Sequence, residues 1–173
     1  MISLIGFSSL LLSFILSIVI LIFYFYEKKI INKRIYYYLL YLSFVFIAIS
    51  FFSLMFAYIS SDFTNYNVFQ NSHSSKPLLY KITGTWGNHE GSMLLWLLIM
   101  MFYNFLFSFN KTLENDLKKL TIFFQNFLYV IFASYVIFVS NPFLVNSILV
   151  NQGLGLNPIL QDPALAIHPP MLY

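Results

Sequence analysis

Four long apolar stretches alternate with polar ones along the chain, at about 2–26, 36–59, 92–109 and 120–140. A helix rises about 1.5 Å per residue, so each stretch reaches or nearly reaches across a hydrocarbon core of about 30 Å. The first carries no charge before Glu27, no basic residue ahead of its apolar run and no small-residue cleavage site behind it. It therefore reads as a membrane helix and not as a secretory leader. The fourth stops at Asn141-Pro142. This pattern predicts an all-α, polytopic integral membrane protein with about four transmembrane helices, forming one membrane unit over 1–173. The remaining residues make two short connectors, 27–35 and 111–119, and two long polar segments, 60–91 and 141–173. Within the second long segment, Phe143 to Val150 is apolar but too short to span, and is expected to lie along the interface.

Composition supports the same class. Hydrophobic residues make up 60% of the chain and charged residues 9%, against about a quarter charged in a soluble domain. A water-soluble fold would lack the side chains to cover its surface. No cysteine is present, which excludes disulfides, thiolate metal sites and Cys-x-x-Cys redox chemistry within the chain. Heavy use of Phe, Ile, Tyr, Asn and Lys fits an AT-rich genome such as many organelles have. Gly153 and Gly155 lack the third glycine and strand–helix context of a dinucleotide loop, and no phosphate loop, nucleophilic triad or nucleic-acid patch occurs.

The basic residues set an orientation. Lys28, Lys29, Lys33 and Arg34 lie in the first connector and Lys111, Lys118 and Lys119 in the second, leaving only Lys76 and Lys81 in the long segments. The positive-inside rule places the connectors on the matrix or cytoplasmic side, and both long segments and both termini on the outer face. Tyr24, Tyr26, Tyr36, Tyr37, Tyr38 and Tyr41 crowd the first connector as an interfacial aromatic belt would. All three histidines, with Asp62, Glu90 and Asp162, fall on the outer face. No acid, base or histidine sits deep in a span, which disfavours an ion-translocating core. The outer face is the working face.

Its densest chemistry is Gly84-Thr85-Trp86-Gly87-Asn88-His89-Glu90-Gly91-Ser92, running into Met93-Leu94-Leu95-Trp96. Ser92 is the expected N-cap of the third span, with Glu90 close enough to favour the positive end of the helix dipole. A zincin helix needs a second histidine four residues after His89, and Met93 stands there. What remains is either a glycine-flexed turn with an interfacial tryptophan, or a loop whose backbone lets a ligand approach His89 and Glu90. His168, in Ala166-Ile167-His168-Pro169-Pro170, is held by two prolines. It is either a metal ligand through one ring nitrogen or a surface loop histidine. His73, in Asn71-Ser72-His73-Ser74-Ser75, has the composition of a solvated turn and reads as structural.

Leu78 to Trp96, through Trp86-Gly87-Asn88-His89-Glu90-Gly91-Ser92, resembles the first signature of CcmF, the haem lyase subunit of cytochrome c maturation. Leu156-Asn157-Pro158-Ile159-Leu160-Gln161-Asp162-Pro163 and on through His168-Pro169-Pro170-Met171-Leu172-Tyr173 resembles its second. The form of the first is most similar to mitochondrially encoded members, and the resemblance covers the whole chain but only the N-terminal part of the family. It implies a protein that receives haem from a chaperone on the outer face and joins its vinyl groups to the two thiols of a Cys-x-x-Cys-His site in apocytochrome c. It implies that His168 is one of two outer axial haem ligands flanking a tryptophan-rich segment. Trp86, His89 and Glu90 are further candidates for binding haem or apocytochrome.

The chain ends at Tyr173, before the family's Trp-rich segment, second outer histidine and intramembrane histidines. The resemblance therefore implies either the N-terminal piece of a split protein, which is the favoured reading, or a truncated sequence, in both cases not active by itself. Haem would be b-type as substrate, with the second haem site outside this chain. The expected partners are the completing chains, the haem chaperone, apocytochrome c and membrane lipids, with no nucleic acid. The location is the mitochondrial inner membrane with outer loops in the intermembrane space, or a bacterial plasma membrane if the source is not an organelle. The alternative is a non-catalytic membrane assembly or respiratory-complex subunit, which would copurify with respiratory chains instead of haem.

Overall fold

A computed structural model of the chain describes residues 1–26, 33–147, 150–155, 157 and 161–172. Seven helices are described: α1 (Ile2–Tyr26), α2 (Lys33–Ser60), α3 (Tyr66–Asn71), α4 (Leu78–Gly84), α5 (His89–Ser108), α6 (Asn115–Phe138) and α7 (Pro163–Leu172). Four of them, α1, α2, α5 and α6, are long and apolar enough to cross a membrane. They close a ring in which α1 packs on α2, α2 on α5, α5 on α6 and α6 on α1. Successive crossings alternate in direction, so each helix is antiparallel to its ring neighbours. Residues 27–32, most of the first basic connector, lie outside the described residues.

Helix limits differ from the apolar limits at their polar ends. The third span begins at His89 and the fourth at Asn115, before the apolar runs that start at 92 and 120. Hydropathy marks where a helix enters hydrocarbon, whereas backbone hydrogen bonding begins at the cap. At the other end of α2, Ser61 adopts φ 55°. Its N–H donates to Tyr58 O at 3.2 Å and that of Asp62 to Ala57 O at 2.9 Å, a left-handed stop usually built on glycine.

Serines that look scattered in sequence line one face. Ser9, Ser13 and Ser17 of α1 and Ser43 and Ser50 of α2 are all buried, and small side chains let two membrane helices approach closely. Near mid-span, Ser13 Oγ is 3.0 Å from Ser43 Oγ and 2.6 Å from Tyr129 Oη, and Asn126 Nδ2 donates to Ser17 O at 2.6 Å. Such bonds average about 0.6 kcal/mol each in a bilayer, so their main contribution is the register of α1, α2 and α6.

The tyrosine belt divides. Tyr38 is exposed as an interfacial anchor should be, but Tyr36 is buried. Tyr41 stacks on Phe109 of the α5 end at 5.4 Å, and Tyr24 meets Phe123 of α6 at 4.5 Å. Rings near the connector therefore bind helices together. Lys118 closes the same end: its Nζ donates to Asn110 O at 2.9 Å and lies 5.1 Å from the centre of the Tyr37 ring.

At the opposite end the two long polar segments form one cap. Tyr66 N donates to Leu144 O and Asn146 N to Thr64 O, both at 2.8 Å. Asn65, fully buried, caps α3 by accepting from Val68 N and donates to both Ser3 Oγ and Pro142 O. Leu154 N and Gly155 N bond Phe69 O and Ser72 O, at 2.8 and 3.1 Å. A Cβ on Gly153 would lie 2.1 Å from Ser72 O, so this strand of chain fits only without a side chain. The apolar patch after Asn141 divides between the interior and the surface of the cap. Phe143 is buried against Gly6 while Leu144 and Val145 are exposed; residues 148–149 lie outside the described residues.

Candidate functional site

The turn between α4 and α5 is built around Asn88. It is the N-cap of α5, with extended backbone and Oδ1 accepting from Gly91 N at 2.8 Å. Ser92, the cap expected from hydropathy, instead sits inside the first turn with Oγ bonded to His89 O. Asn88 also serves the preceding helix, since its Nδ2 donates to Gly84 O at 2.8 Å. One side chain thus satisfies an orphan donor of α5 and an orphan acceptor of α4. These two contacts also fix which end of the amide is oxygen, because Gly91 N only donates and Gly84 O only accepts.

A closed polar network surrounds that cap. Tyr58 Oη donates to Asn67 Oδ1 at 2.6 Å, Asn67 Nδ2 donates to Asn88 Oδ1 at 2.8 Å, and Asn88 Nδ2 donates to Tyr58 Oη at 3.0 Å. Asn67 Nδ2 also reaches Glu90 Oε2 at 3.1 Å. The end of α2, helix α3 and the start of α5 are therefore locked at one point. Glu90 lies in the first turn of α5, where its charge suits the dipole as expected. Asn65 and Asn67 had no sequence signal beyond belonging to a polar segment.

His89 and Glu90 point to different neighbours. His89 is exposed, with Nδ1 3.0 Å from Ser140 Oγ just beyond α6 and its ring edge-on to Tyr135 at 6.3 Å. It ties α5 to α6, while Glu90 ties α5 to α3. Among the described residues, no cluster of three or more His, Cys, Asp or Glu could hold a metal ion. His73 accepts at Nδ1 from Ser75 N at 3.3 Å, within a turn.

His168 is not in a loop. Pro163 opens α7, where its missing N–H costs nothing, and Asp162 caps the helix by accepting from Ala164 N at 2.8 Å. His168 is exposed on α7, with Ile167 and Met171 beside it 51% and 80% exposed. The opposite face, at Ala166, is 5% exposed, and α7 packs on α4. Trp86 makes the junction, its indole N–H donating to Ala166 O at 2.8 Å. The two sequence motifs, eighty residues apart, thus meet. Residues 156 and 158–160 of the second motif and Tyr173 lie outside the described residues.

The cap also holds a perturbed lysine. Lys76 Nζ donates to Asn71 O at 3.0 Å, and burial pushes its ammonium down from 10.5 to about 8. The unfolded chain then binds more protons than the folded one between pH 8 and 10.5. Stability of the cap therefore rises with pH through that window. Acylation of Lys76, followed by peptide mass spectrometry, is expected to rise with a midpoint near pH 8; a midpoint near 10.5 would contradict the burial.

Comparison with known proteins agrees with this architecture. Residues 86–173 match the Cytochrome C assembly protein family. The chain is 51% identical over 131 residues to the cytochrome c-type biogenesis protein CycK of Rhizobium meliloti, covering 75% of this chain and 19% of that protein. It is 38% identical over 137 residues to the cytochrome c-type biogenesis protein CcmF of Escherichia coli, covering 77% of this chain and 21% of that protein. The chain thus matches about a fifth of the length of these relatives. The solved structure of a cytochrome c haem lyase CcmF superimposes with a TM-score of 0.82 over 100% of this chain and 28% of that one, at 23% identity, which establishes the shared fold. With its family match beginning at Trp86, a chain whose Trp86 turn docks the His168 helix beside α4, at one end of a four-helix bundle, belongs to the cytochrome c assembly protein family, with CcmF and CycK proteins as its relatives.

Proposed function

We propose that this chain forms one wall of the outer haem site of a c-type cytochrome haem lyase, with His168 as an axial ligand. The observation that supports this most is the setting of His168: an exposed imidazole on a docked helix, flanked by exposed Ile167 and Met171. An imidazole nitrogen suits one axial position of haem iron, and apolar side chains beside it suit the face of a porphyrin. The reaction served is addition of a cysteine S–H across a haem vinyl C=C, which forms a thioether with no net oxidation. The role of this chain in it is to hold the substrate haem. Trp86, His89 and Glu90 have structural contacts within the cap, so they act on the shape of the site before they act on haem.

The second axial ligand and the tryptophan-rich docking surface come from the remainder of the lyase. The bundle's cap faces the intermembrane space of a mitochondrion, or the outer side of a bacterial plasma membrane, and the connector end with Lys118 faces inward. The partners are the completing chains, a haem chaperone and apocytochrome c.

His168→Ala in the complete assembly is expected to abolish haem capture and c-type cytochrome maturation while leaving protein level and membrane insertion unchanged. The measurement is Soret absorbance per purified protein, together with haem-stained c-type cytochrome in the same membranes. Normal values for both would remove His168 from the ligand set.

A further inference from the structure

Proline has no N–H, so within α7 Pro169 and Pro170 leave the carbonyls of residues 165 and 166 without their helical donors. A buried carbonyl left unpaired is destabilising. The Ala166 carbonyl is on the buried side of α7, and the Trp86 indole N–H fills the position that Pro170 vacates, at 2.8 Å. Indole nitrogen is only a donor, so the match has one sense. Trp86 itself is anchored. Its backbone N–H bonds Thr83 O at 3.2 Å, and two residues later Asn88 is fixed by Tyr58 and Asn67. His168 stands two residues beyond the bonded carbonyl.

We propose that Trp86 is a positioning residue for His168: its indole N–H replaces the hydrogen bond Pro170 cannot make and so sets where the imidazole is presented. The inference rests on the assignment of His168 to haem. The Pro-Pro pair then has a purpose beyond stiffness. It exposes a carbonyl inside a helix, so that α7 is oriented by the α4–α5 turn and not by its own helical bonding alone. Movement of that turn would be passed directly to the ligand.

The test is a double-variant comparison in the complete assembly, read by Soret absorbance per protein with haem titrated at fixed concentration. Trp86→Phe keeps an aromatic ring and deletes the donor, and is expected to weaken haem capture by about three- to tenfold, the value of one hydrogen bond. His168→Gly is expected to lose capture and to regain it with added free imidazole, which needs no helix to place it. In that imidazole-supplemented background Trp86→Phe is expected to have no further effect. Loss of the same size there would mean that Trp86 only supports the fold, and would overturn the positioning role. Full capture by Trp86→Phe when His168→Gly has lost it would also overturn it. Full capture by His168→Gly without imidazole would instead remove the assignment of His168 itself.

A haem-independent reading comes from the absence of native cysteine. With Ala166→Cys as the single thiol of this chain in the complete assembly, maleimide labelling at that position, read by peptide mass spectrometry, is expected to be slow while Trp86 is intact. Adding Trp86→Phe is expected to speed it about three- to tenfold, as α7 loosens. Equal rates would show that the indole does not hold α7.

Discussion

Gly91→Ala is expected to open the polar cap at the α4–α5 turn. A Cβ at this position would lie 1.7 Å from the Thr85 carbonyl oxygen and 2.9 Å from its carbon. Both are backbone atoms, so no rotamer change relieves the overlap, and the first turn of α5 has to move away from the turn before it. That movement pulls Gly91 N from Asn88 Oδ1, and with it the cap that serves both helices. Overpacking costs about 1–3 kcal/mol and loss of an N-cap about 0.5–2 kcal/mol, so the combined effect is about 3 kcal/mol. Thermal unfolding in detergent is expected to show a large fall in Tm for Gly91→Ala. Ser92→Ala is expected to change little, since Ser92 Oγ only bonds back to His89 O within the helix. The reverse ranking would restore Ser92 as the cap and refute the role given to Asn88.

Asn67→Asp changes one nitrogen for oxygen and should be nearly as damaging. Asn67 is 4% exposed, and its Nδ2 supplies both Asn88 Oδ1 and Glu90 Oε2. Aspartate would turn two hydrogen bonds into oxygen–oxygen contacts and place a second carboxylate against Glu90. Asn88 cannot rotate its amide to help, because Gly91 N and Gly84 O hold it. A buried uncompensated charge costs about 3–5 kcal/mol; the partial exposure of Glu90 favours the lower end.

The pH dependence has a definite sign. Of two carboxyls sharing one site, one titrates above its ordinary value in the folded state. Its favourable protonated contact is present below the unfolded value, about 4, and is lost as pH rises through the folded one. The variant is therefore expected to regain stability as pH falls, and Asn67→Asp with Glu90→Gln to regain it at neutral pH. A pH-independent deficit, untouched by Glu90→Gln, would mean that Asn67 and Glu90 do not interact.

The two motifs were visible in the sequence because they concentrate Gly, Trp, His and Pro in otherwise uniform apolar chain. The use made of those residues was not. Ser92 and Asn88 are both competent caps by residue type, and only the folded turn, which sets Asn88 Oδ1 on Gly91 N and Ser92 Oγ on His89 O, decides between them. His89 and Glu90 look like a pair when written side by side. On a helix, successive side chains diverge by about 100°, and here one bonds α6 and the other α3. His168 looked like a loop residue because prolines follow it, yet a donor from outside the helix compensates a bond that proline removes.

Serines in the first two apolar runs show the same limit from inside the membrane. Their hydroxyls lower hydropathy only slightly, so they leave the span prediction intact and give no sign of partner. Placed on facing helices, they become the register marks of α1 and α2. Asn65 and Asn67 are the extreme case: they hold together segments more than twenty residues apart or more than seventy, and local pattern contains no information at that range.

By itself, the sequence determined the number of spans, because the thickness of hydrocarbon and the cost of burying charge act residue by residue along the chain. Only the tertiary structure decided that the two long polar segments form a single cap, that Asn88 caps two helices, and that Trp86 meets the carbonyl Pro170 leaves open. These are pairings of donors with acceptors, and a donor's partner is fixed by where folding puts it and not by its neighbours in the chain.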